Sequence, residues 1–287
     1  MTKTVHPAPL FRLPKNLHLY TLTPMPALCK LYFSWTARWK HSGIPNLPQG
    51  FPTAELQAKW TEDGLELLSL QFSEDRAFAV FAATPGVTPA FLAQRCKGRL
   101  DHAIREEHPN FSGFDRAFFL RTLGQNTREI VQTYIRNQVD ASDLVDPLYR
   151  QRLKELRFQN HTTSQFRNSH AAVYDLYYHV IFITGGRHRM RLPEAKAVFQ
   201  ALRGAAAANE SEVYDISIMP DHVHLLVGDT FKSCPESIVE NLKKESGQIL
   251  RRSAFWSGGG YIGSVGPYRL KTALDRNRGQ GWVKEGW

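Results

Sequence analysis

Two short motifs carry the side chains with the greatest chemical potential, and they lie in different halves of the chain. The first is His222-Val223-His224, which follows the turn-like segment 219–221. Residues two apart in a strand point to the same face, so both imidazoles project together while Val223 points into the core. Neutral imidazoles in this arrangement form a two-ligand metal site. A strand that carries two surface or hydrogen-bonded histidines is the alternative reading.

The second motif pairs Tyr134 with Gln138 in the segment Thr-Tyr-Ile-Arg-Asn-Gln. Residues four apart on a helix share a face, so the two side chains point the same way. A phenol can form a covalent intermediate, but at its ordinary pKa it needs a metal or a base nearby. Gln138 could supply an oxygen ligand to a hard cation. The alternative is a tyrosine that only packs its helix.

The elements that would position these motifs follow one order twice. The second half predicts, in order, a strand at 178–184, a helix from Pro193 to Ala208, a strand pair at 213–219 and 222–227, a helix at 235–252, a glycine-rich connection at 256–266 and a last short helix. The first half predicts a strand at 31–36, a helix at 54–60, strands at 65–72 and 77–82, a helix at 89–105, an apolar segment at 118–124 and a helix at 128–139. Because strands and helices alternate in many folds, the same order of elements could also occur twice by chance.

Composition limits the class of protein. The 287 residues favour two domains, and a net charge of +9 favours a polyanionic partner, nucleic acid before membrane, over a merely basic protein. Three widely spaced cysteines, Cys29, Cys96 and Cys234, indicate neither a disulfide framework nor a zinc knuckle. No apolar run reaches the length of a membrane span, and prolines interrupt the start where a signal peptide would be apolar. We therefore expect a cytoplasmic protein with no membrane partner.

The sequence resembles the single-tyrosine HUH transposases, the TnpA-type enzymes of small insertion sequences and their REP-associated relatives. The resemblance rests on Pro-Asp-His-Val-His-Leu-Leu-Val at 220–227, a following lysine-containing helix, and Tyr-Ile-Arg-Asn-Gln after an aromatic segment that ends in Thr-Leu-Gly. It covers most of 171–280 and, more weakly, 30–139. It implies an α+β fold class of two tandem ferredoxin-like HUH-endonuclease domains, each an antiparallel sheet with packed helices.

The resemblance also implies roles for the motif residues. His222 and His224 become ligands of a divalent metal, Mg²⁺ or Mn²⁺, with Gln138 as the third ligand, and Tyr134 becomes the nucleophile that attacks a DNA phosphate. Tyr268 is a competing nucleophile because it lies in the half with the histidines, but Thr272 stands where a glutamine would follow it.

Each half departs from the family pattern in a complementary way. If Pro89 is aligned with Pro235, the histidine positions of the first half are Arg76 and Phe78. If Gly124 is aligned with Gly266, the tyrosine position of the second half is Arg276, although Gln280 falls on Gln138. Family dimers complete each histidine site with the tyrosine helix of the other subunit. The chain therefore resembles such a dimer fused head to tail, a monomeric pseudo-dimer with one composite site, and further association is open.

These implications give a full set of expectations. The domains are 1–28, an N-terminal extension; 29–139, a degenerate domain that supplies the tyrosine helix; 140–170, a linker with a helix near 148–158; and 171–287, the domain with the intact His-x-His motif. The function is single-stranded DNA cleavage and strand transfer at hairpin-bearing ends through a 5′-phosphotyrosine. The alternative is a hairpin-DNA-binding protein without catalysis. The expected DNA-binding residues are Lys97, Lys243, Lys244, Arg251 and Arg252, while Trp256 and Tyr261 could stack bases or pack the core.

Overall fold

The computed structural model describes residues 29–41, 51–142, 144–160, 166–169, 171–208, 211–228, 231–250 and 255–278. Within these residues the chain forms eleven β-strands and seven α-helices, arranged around two sheets. The predicted N-terminal extension, Arg251, Arg252 and Gln280 lie outside the described residues.

The elements of the first half have the predicted order. They are β1 (Leu31–Trp39), α1 (Thr53–Glu62), β2 (Leu65–Phe72), β3 (Arg76–Ala83), α2 (Pro89–Glu107), β4 (Phe114–Leu123) and α3 (Arg128–Asn137). Four further elements follow, α4 (Pro147–Glu155), β5 (Arg157–Gln159), β6 (Arg167–Ser169) and β7 (Ala172–Asp175). The second half contains β8 (Tyr177–Thr184), α5 (Leu192–Ala208), β9 (Glu212–Ile218), β10 (His222–Gly228), α6 (Pro235–Ile249), β11 (Trp256–Val265) and α7 (Leu270–Arg278).

The two halves build the same four-stranded arrangement. The first sheet has the order β2-β3-β1-β4-β7-β6, and the second has the order β11-β8-β10-β9-β5. Strand β3 pairs antiparallel with β1 and β2, just as β10 pairs antiparallel with β8 and β9. The predicted α+β class with two antiparallel-rich sheets is therefore confirmed. The additional strands come from the stretch after α3, where β7 joins β4 in parallel and β5 joins β9.

The last helix of each half crosses to the sheet of the other half. Helix α3 packs on β9 and β10, and helix α7 packs on β2. Hydrogen bonds across the junction occur in matching pairs: Tyr32 N donates to Ser264 Oγ at 2.8 Å, and Tyr177 N donates to Thr122 Oγ1 at 3.0 Å. This exchange places the side chains of α3 over the second sheet.

Strand β11 corrects the predicted glycine-rich connection at 256–266. Its glycines permit backbone approaches that larger residues would block. A Cβ at Gly260 would lie 2.7 Å from the carbonyl oxygen of Ile181 on the neighbouring strand β8. The strand also changes register between Trp256 and Gly260, which is typical of a β-bulge. Glycine content therefore marks close strand packing here and not a loop.

The region predicted as a linker at 140–170 contains α4, β5 and β6. Asp146 caps α4 by accepting hydrogen bonds from the backbone of Leu148 and Tyr149, with Pro147 at the first helical position. A helix in this region is therefore present, although it ends three residues before Phe158. No helix in the described part of the chain is long and apolar enough to cross a membrane.

Candidate active site

The His-x-His pair lies on β10, at the centre of the second sheet. Val223, Leu225 and Val227 on one face are buried in the main core, so the histidines occupy the opposite face. His222 is partly exposed, and its Nδ1 lies 2.7 Å from Asp221 Oδ1. Burial alone would raise the pKa of the Asp221 carboxyl, but the hydrogen bond with His222 and the charges of His222 and Arg187 hold it below its usual value. The carboxylate therefore fixes the orientation of the His222 ring.

A third histidine, which the sequence reading missed, completes the cluster. His179 on β8 is 1% exposed, and its Nε2 lies 3.2 Å from Nδ1 of His224, which is 2% exposed. Burial lowers the pKa of His179 to about 3. Burial, followed by the charges of His222 and His179, also holds the pKa of His224 well below its ordinary value. Both buried imidazoles are therefore neutral, which is the form that accepts a proton or a metal ion.

Tyr134 approaches this cluster from the other half of the chain. Its ring centroid lies 5.4 Å from that of His224 and 6.0 Å from that of His179, edge-on to both. Helix α3 holds the tyrosine in place through a small apolar cluster formed by Val131, Ile135, Tyr177, Tyr214, Leu226 and Val265. The structure thus brings together the predicted tyrosine and the predicted histidine pair across the two halves.

Gln138 stands at the C-terminal end of α3, one turn after Tyr134. Its amide nitrogen donates a hydrogen bond to the backbone oxygen of Tyr134 at 3.1 Å. This bond uses the nitrogen of the amide, whereas a hard cation would need the oxygen. The structure therefore places the predicted third ligand on the tyrosine helix, with its amide nitrogen turned to the helix backbone.

Imidazole nitrogens and an amide oxygen are donor types that a divalent cation can accept. Within the described residues, no group of three or more His, Cys, Asp or Glu side chains is arranged to hold a metal ion. The candidate set is instead two imidazoles and the Gln138 amide. His224 Nε2 is buried and has no hydrogen-bond partner among the described residues. A buried ring nitrogen without a partner is costly, so a bound cation would satisfy it.

The corresponding positions of the first half cannot bind metal in this way. Arg76 and Phe78 on β3 replace the histidines, and Arg76 Nε bonds to Asp75 Oδ1 at 2.8 Å. Tyr268 packs in an apolar cluster that includes Val80 and Leu123 of the first half, so it does not belong to the His224 cluster. On this face of the first sheet, Leu270 and Ala273 of α7 pack against Val80 and Leu123.

The predicted DNA-binding lysines divide into two kinds. Lys97 and Lys243 occupy equivalent positions on α2 and α6, and each bonds to a backbone carbonyl at the start of a strand, Asp115 for Lys97 and Ser257 for Lys243. Burial lowers the pKa of both ammonium groups. Lys244 is exposed. The structure therefore gives Lys97 and Lys243 a packing contact and leaves Lys244 open to solvent.

The predicted stacking residues pack inside the second half. Trp256 Nε1 donates to Ser246 Oγ at 2.8 Å, and its ring lies 5.4 Å from that of Phe182. The ring of Tyr261 lies 5.5 Å from that of His179, and burial raises the pKa of its hydroxyl. Trp256 therefore packs against the main core, whereas Tyr261 contacts the buried His179.

Comparison with known proteins supplies the family. The model of the family described as "Transposase IS200 like" matches residues 53–138 and 172–270, one segment in each half. The chain belongs to this family. The matched segments include both Tyr134 and the histidine pair, so the IS200-like transposase assignment covers the residues of the site.

Individual known proteins match two fifths or more of the chain. The ISDra2 transposase TnpA of Deinococcus radiodurans is 35% identical over 123 residues, which are 40% of this chain and 86% of the relative. A crystal structure assigned as a transposase of Deinococcus radiodurans matches 41% of this chain and 99% of its own at 24% identity, with a TM-score of 0.33. The ligand-free regulatory subunit of aspartate kinase from Thermus thermophilus matches 77% of this chain and 98% of its own at 9% identity, with a TM-score of 0.19.

Proposed function

We propose that this transposase is a single-stranded DNA endonuclease and strand transferase with one composite active site per chain. The first half supplies the nucleophile Tyr134, and the second half supplies His222 and His224. The observation that carries the proposal is the 5.4 Å separation between the rings of Tyr134 and His224, which come from opposite halves. The packing of α3 on β9 and β10 supports it, because it places the tyrosine helix against the strand that carries the histidines.

Cleavage would proceed by in-line attack of the Tyr134 oxygen on a backbone phosphorus. The bond between phosphorus and the 3′-oxygen breaks as the bond to the tyrosine forms, the phenol loses its proton, and the departing 3′-oxygen gains one. The DNA 5′-phosphate then remains covalently joined to Tyr134. Because this exchange of phosphodiester bonds is nearly balanced in energy, a second 3′-hydroxyl can reverse it and complete strand transfer.

His222, His224 and Gln138 would hold a divalent cation, Mg²⁺ or Mn²⁺, whose contribution is polarisation of the scissile phosphate. Gln138 must turn its amide oxygen towards the histidines for this role. Its position on the same helix face as Tyr134 supports the assignment, since one movement of the helix end would bring the nucleophile and the ligand forward together.

The proposed substrate is single-stranded DNA next to a hairpin. The net charge of +9 favours a polyanion, and exposed Lys244 on α6 is suited to contact a phosphate. One chain would act as a monomeric pseudo-dimer, because both parts of the composite site lie within it.

A covalent-capture assay tests the proposal. The full chain is incubated with Mn²⁺ and a library of single-stranded hairpin DNAs, and adducts that survive denaturation are recovered. We expect an adduct with the wild type and with Tyr268→Phe, and none with Tyr134→Phe or His222→Ala. Binding of hairpin DNA with no adduct from any member of the library would instead support a DNA-binding protein without catalysis.

A mixing experiment tests whether the site lies within one chain. Tyr134→Phe chains are mixed with chains in which both His222 and His224 are alanine. A site confined to one chain gives no adduct from the mixture. Adduct recovered from the mixture would mean that the site forms between two chains.

A further inference from the structure

Among the residues that the structure describes, the buried contact between His179 and His224 has no counterpart in the first half. Ser34 occupies the position of His179, since it pairs with Val80 on β3 as His179 pairs with Leu226 on β10. The two imidazole rings are nearly parallel, with an angle of 17° between their planes, and they meet end to end at 3.2 Å. Such a contact is a hydrogen bond, so one ring donates and the other accepts. A histidine therefore occupies this position in the half that contains the histidine pair, and a serine occupies it in the other half.

The direction of this hydrogen bond decides what His224 presents to the site. A neutral imidazole carries one proton. If Nδ1 of His224 accepts, its proton must sit on the buried Nε2, and an N–H there would repel a cation. If Nδ1 donates to His179, Nε2 presents a lone pair, and that is the buried atom without a partner among the described residues.

His222, the neighbouring histidine of the pair, has the arrangement in which Nδ1 donates and Nε2 carries the lone pair. Asp221 Oδ1 lies 2.7 Å from Nδ1 of His222, and an ionised carboxylate can only accept. His222 therefore carries a proton on Nδ1 whenever this bond is made, and its neutral form presents a lone pair at Nε2. Acceptors behind ring nitrogens are the common means by which proteins orient histidine ligands.

We infer that His179 is a positioning residue that accepts the Nδ1 proton of His224 and so holds the His224 Nε2 lone pair towards the composite site. It would accept the Nδ1 proton of His224, as Asp221 accepts the Nδ1 proton of His222. The inference deepens the proposed function, because it assigns the residue that prepares a ligand of that same site. It predicts a definite tautomer, with the protons of both His179 and His224 on Nδ1.

Two measurements test the inference. The first uses ¹⁵N-histidine-labelled, metal-free protein and reads the tautomer of His224 from long-range ¹H–¹⁵N correlations, with His224→Gln for assignment. We expect the Nδ1–H tautomer in the wild type. The Nε2–H tautomer would overturn the inference without any variant, and neither result depends on whether the protein cleaves DNA.

The second measurement is the affinity for Mn²⁺ by titration calorimetry. His179→Leu fills the buried position but removes the acceptor, so we expect affinity to fall about 10- to 100-fold. His179→Gln keeps an acceptor at the same reach and should stay within about threefold of the wild type. Ser34→Ala, at the matching position of β1, is the control and should change nothing.

The outcomes separate the two proposals. Equal Mn²⁺ affinity in the wild type and His179→Leu would remove the positioning role and leave the composite site untouched. Equal loss in His179→Leu and His179→Gln would indicate that His179 acts only through packing, which contradicts the inference. Absence of a DNA adduct from the wild type, with the expected tautomer and Mn²⁺ affinities intact, would reject the cleavage proposal alone.

Discussion

An ion pair between the halves holds the tyrosine helix over the histidine cluster. Asp215 on β9 is fully buried, and both of its oxygens bind α3: Arg136 Nε lies 2.7 Å from Oδ1, and Gln132 Nε2 lies 2.8 Å from Oδ2. The Arg136 side chain is 35% exposed. Because Arg136 is two residues from Tyr134, we expect this pair to stabilise the whole chain and the placement of the nucleophile.

The two partners differ in what their loss leaves behind. Arg136→Ala leaves a charged carboxylate buried without its guanidinium partner, and breaking a buried pair in this way costs about 3 kcal/mol, at the lower end of the usual range because Arg136 is partly solvated. Asp215→Asn leaves no buried charge, and Arg136 can turn to water, so the cost is about 1–2 kcal/mol. In the double variant the buried charge is absent, so its loss should be about 2 kcal/mol smaller than the sum of the single losses.

Urea unfolding of the full chain measures these differences, provided that the slopes of the transitions agree. Arg152→Ala removes an exposed ion pair with Glu155 and should change the free energy of unfolding by less than about 0.5 kcal/mol. The reasoning is refuted if the losses of the two single variants add to within about 0.5 kcal/mol, or if Arg136→Ala is as mild as the control.

Three further predictions address other parts of the structure. Gly260→Ala should lower the free energy of unfolding by about 1–3 kcal/mol in urea, since its Cβ would lie 2.7 Å from the Ile181 carbonyl oxygen; an unchanged value would contradict the strand assignment of β11. Burial lowers the pKa of His179 from 6.5 to about 3. The neutral buried imidazole therefore contributes its full share to the free energy of unfolding above pH 6.5, and this contribution is lost as the pH falls towards 3. His179→Leu should weaken this pH dependence by up to about 1.4 kcal/mol per pH unit between these limits. Urea unfolding of both proteins at pH 7 and pH 5 measures this, and an equal loss of unfolding free energy in the wild type and the variant would contradict the prediction. Lys244→Ala should reduce the salt slope of single-stranded DNA binding by about 1 in fluorescence anisotropy without changing stability, whereas an unchanged slope would remove Lys244 from the interface.

The sequence predicted the elements that carry strong local patterns. Alternating apolar residues around His222 and His224 identified β10 and its polar face, and the proline at position 235 marked the start of α6. The separation of Tyr134 from the histidines became informative only through the repeated order of elements. The repeat, together with the resemblance to dimeric family enzymes, led to the expectation that the tyrosine helix lies on the opposite half, which is where α3 lies.

Other features depend on tertiary contacts that local patterns do not contain. His179 stands in the apolar strand β8, and only the register with β10 places it beside His224. The glycines of β11 predicted a loop, because glycine is common in loops. Only the close approach of Ile181 on the neighbouring strand explains why Gly260 is needed within a strand. Lys97 and Lys243 were predicted as DNA contacts from their charge, and local patterns did not indicate that each bonds to the backbone carbonyl of a nearby strand.

The central claim is that Tyr134 of the first half reacts at the histidine site of the second half. Peptide mass spectrometry of the covalent protein–DNA adduct tests it most directly, because it identifies the residue that carries the 5′-phosphate. The account predicts a nucleotide on the peptide that contains Tyr134 and none on the peptide that contains Tyr268. Attachment to Tyr268, or to any residue outside α3, would contradict it.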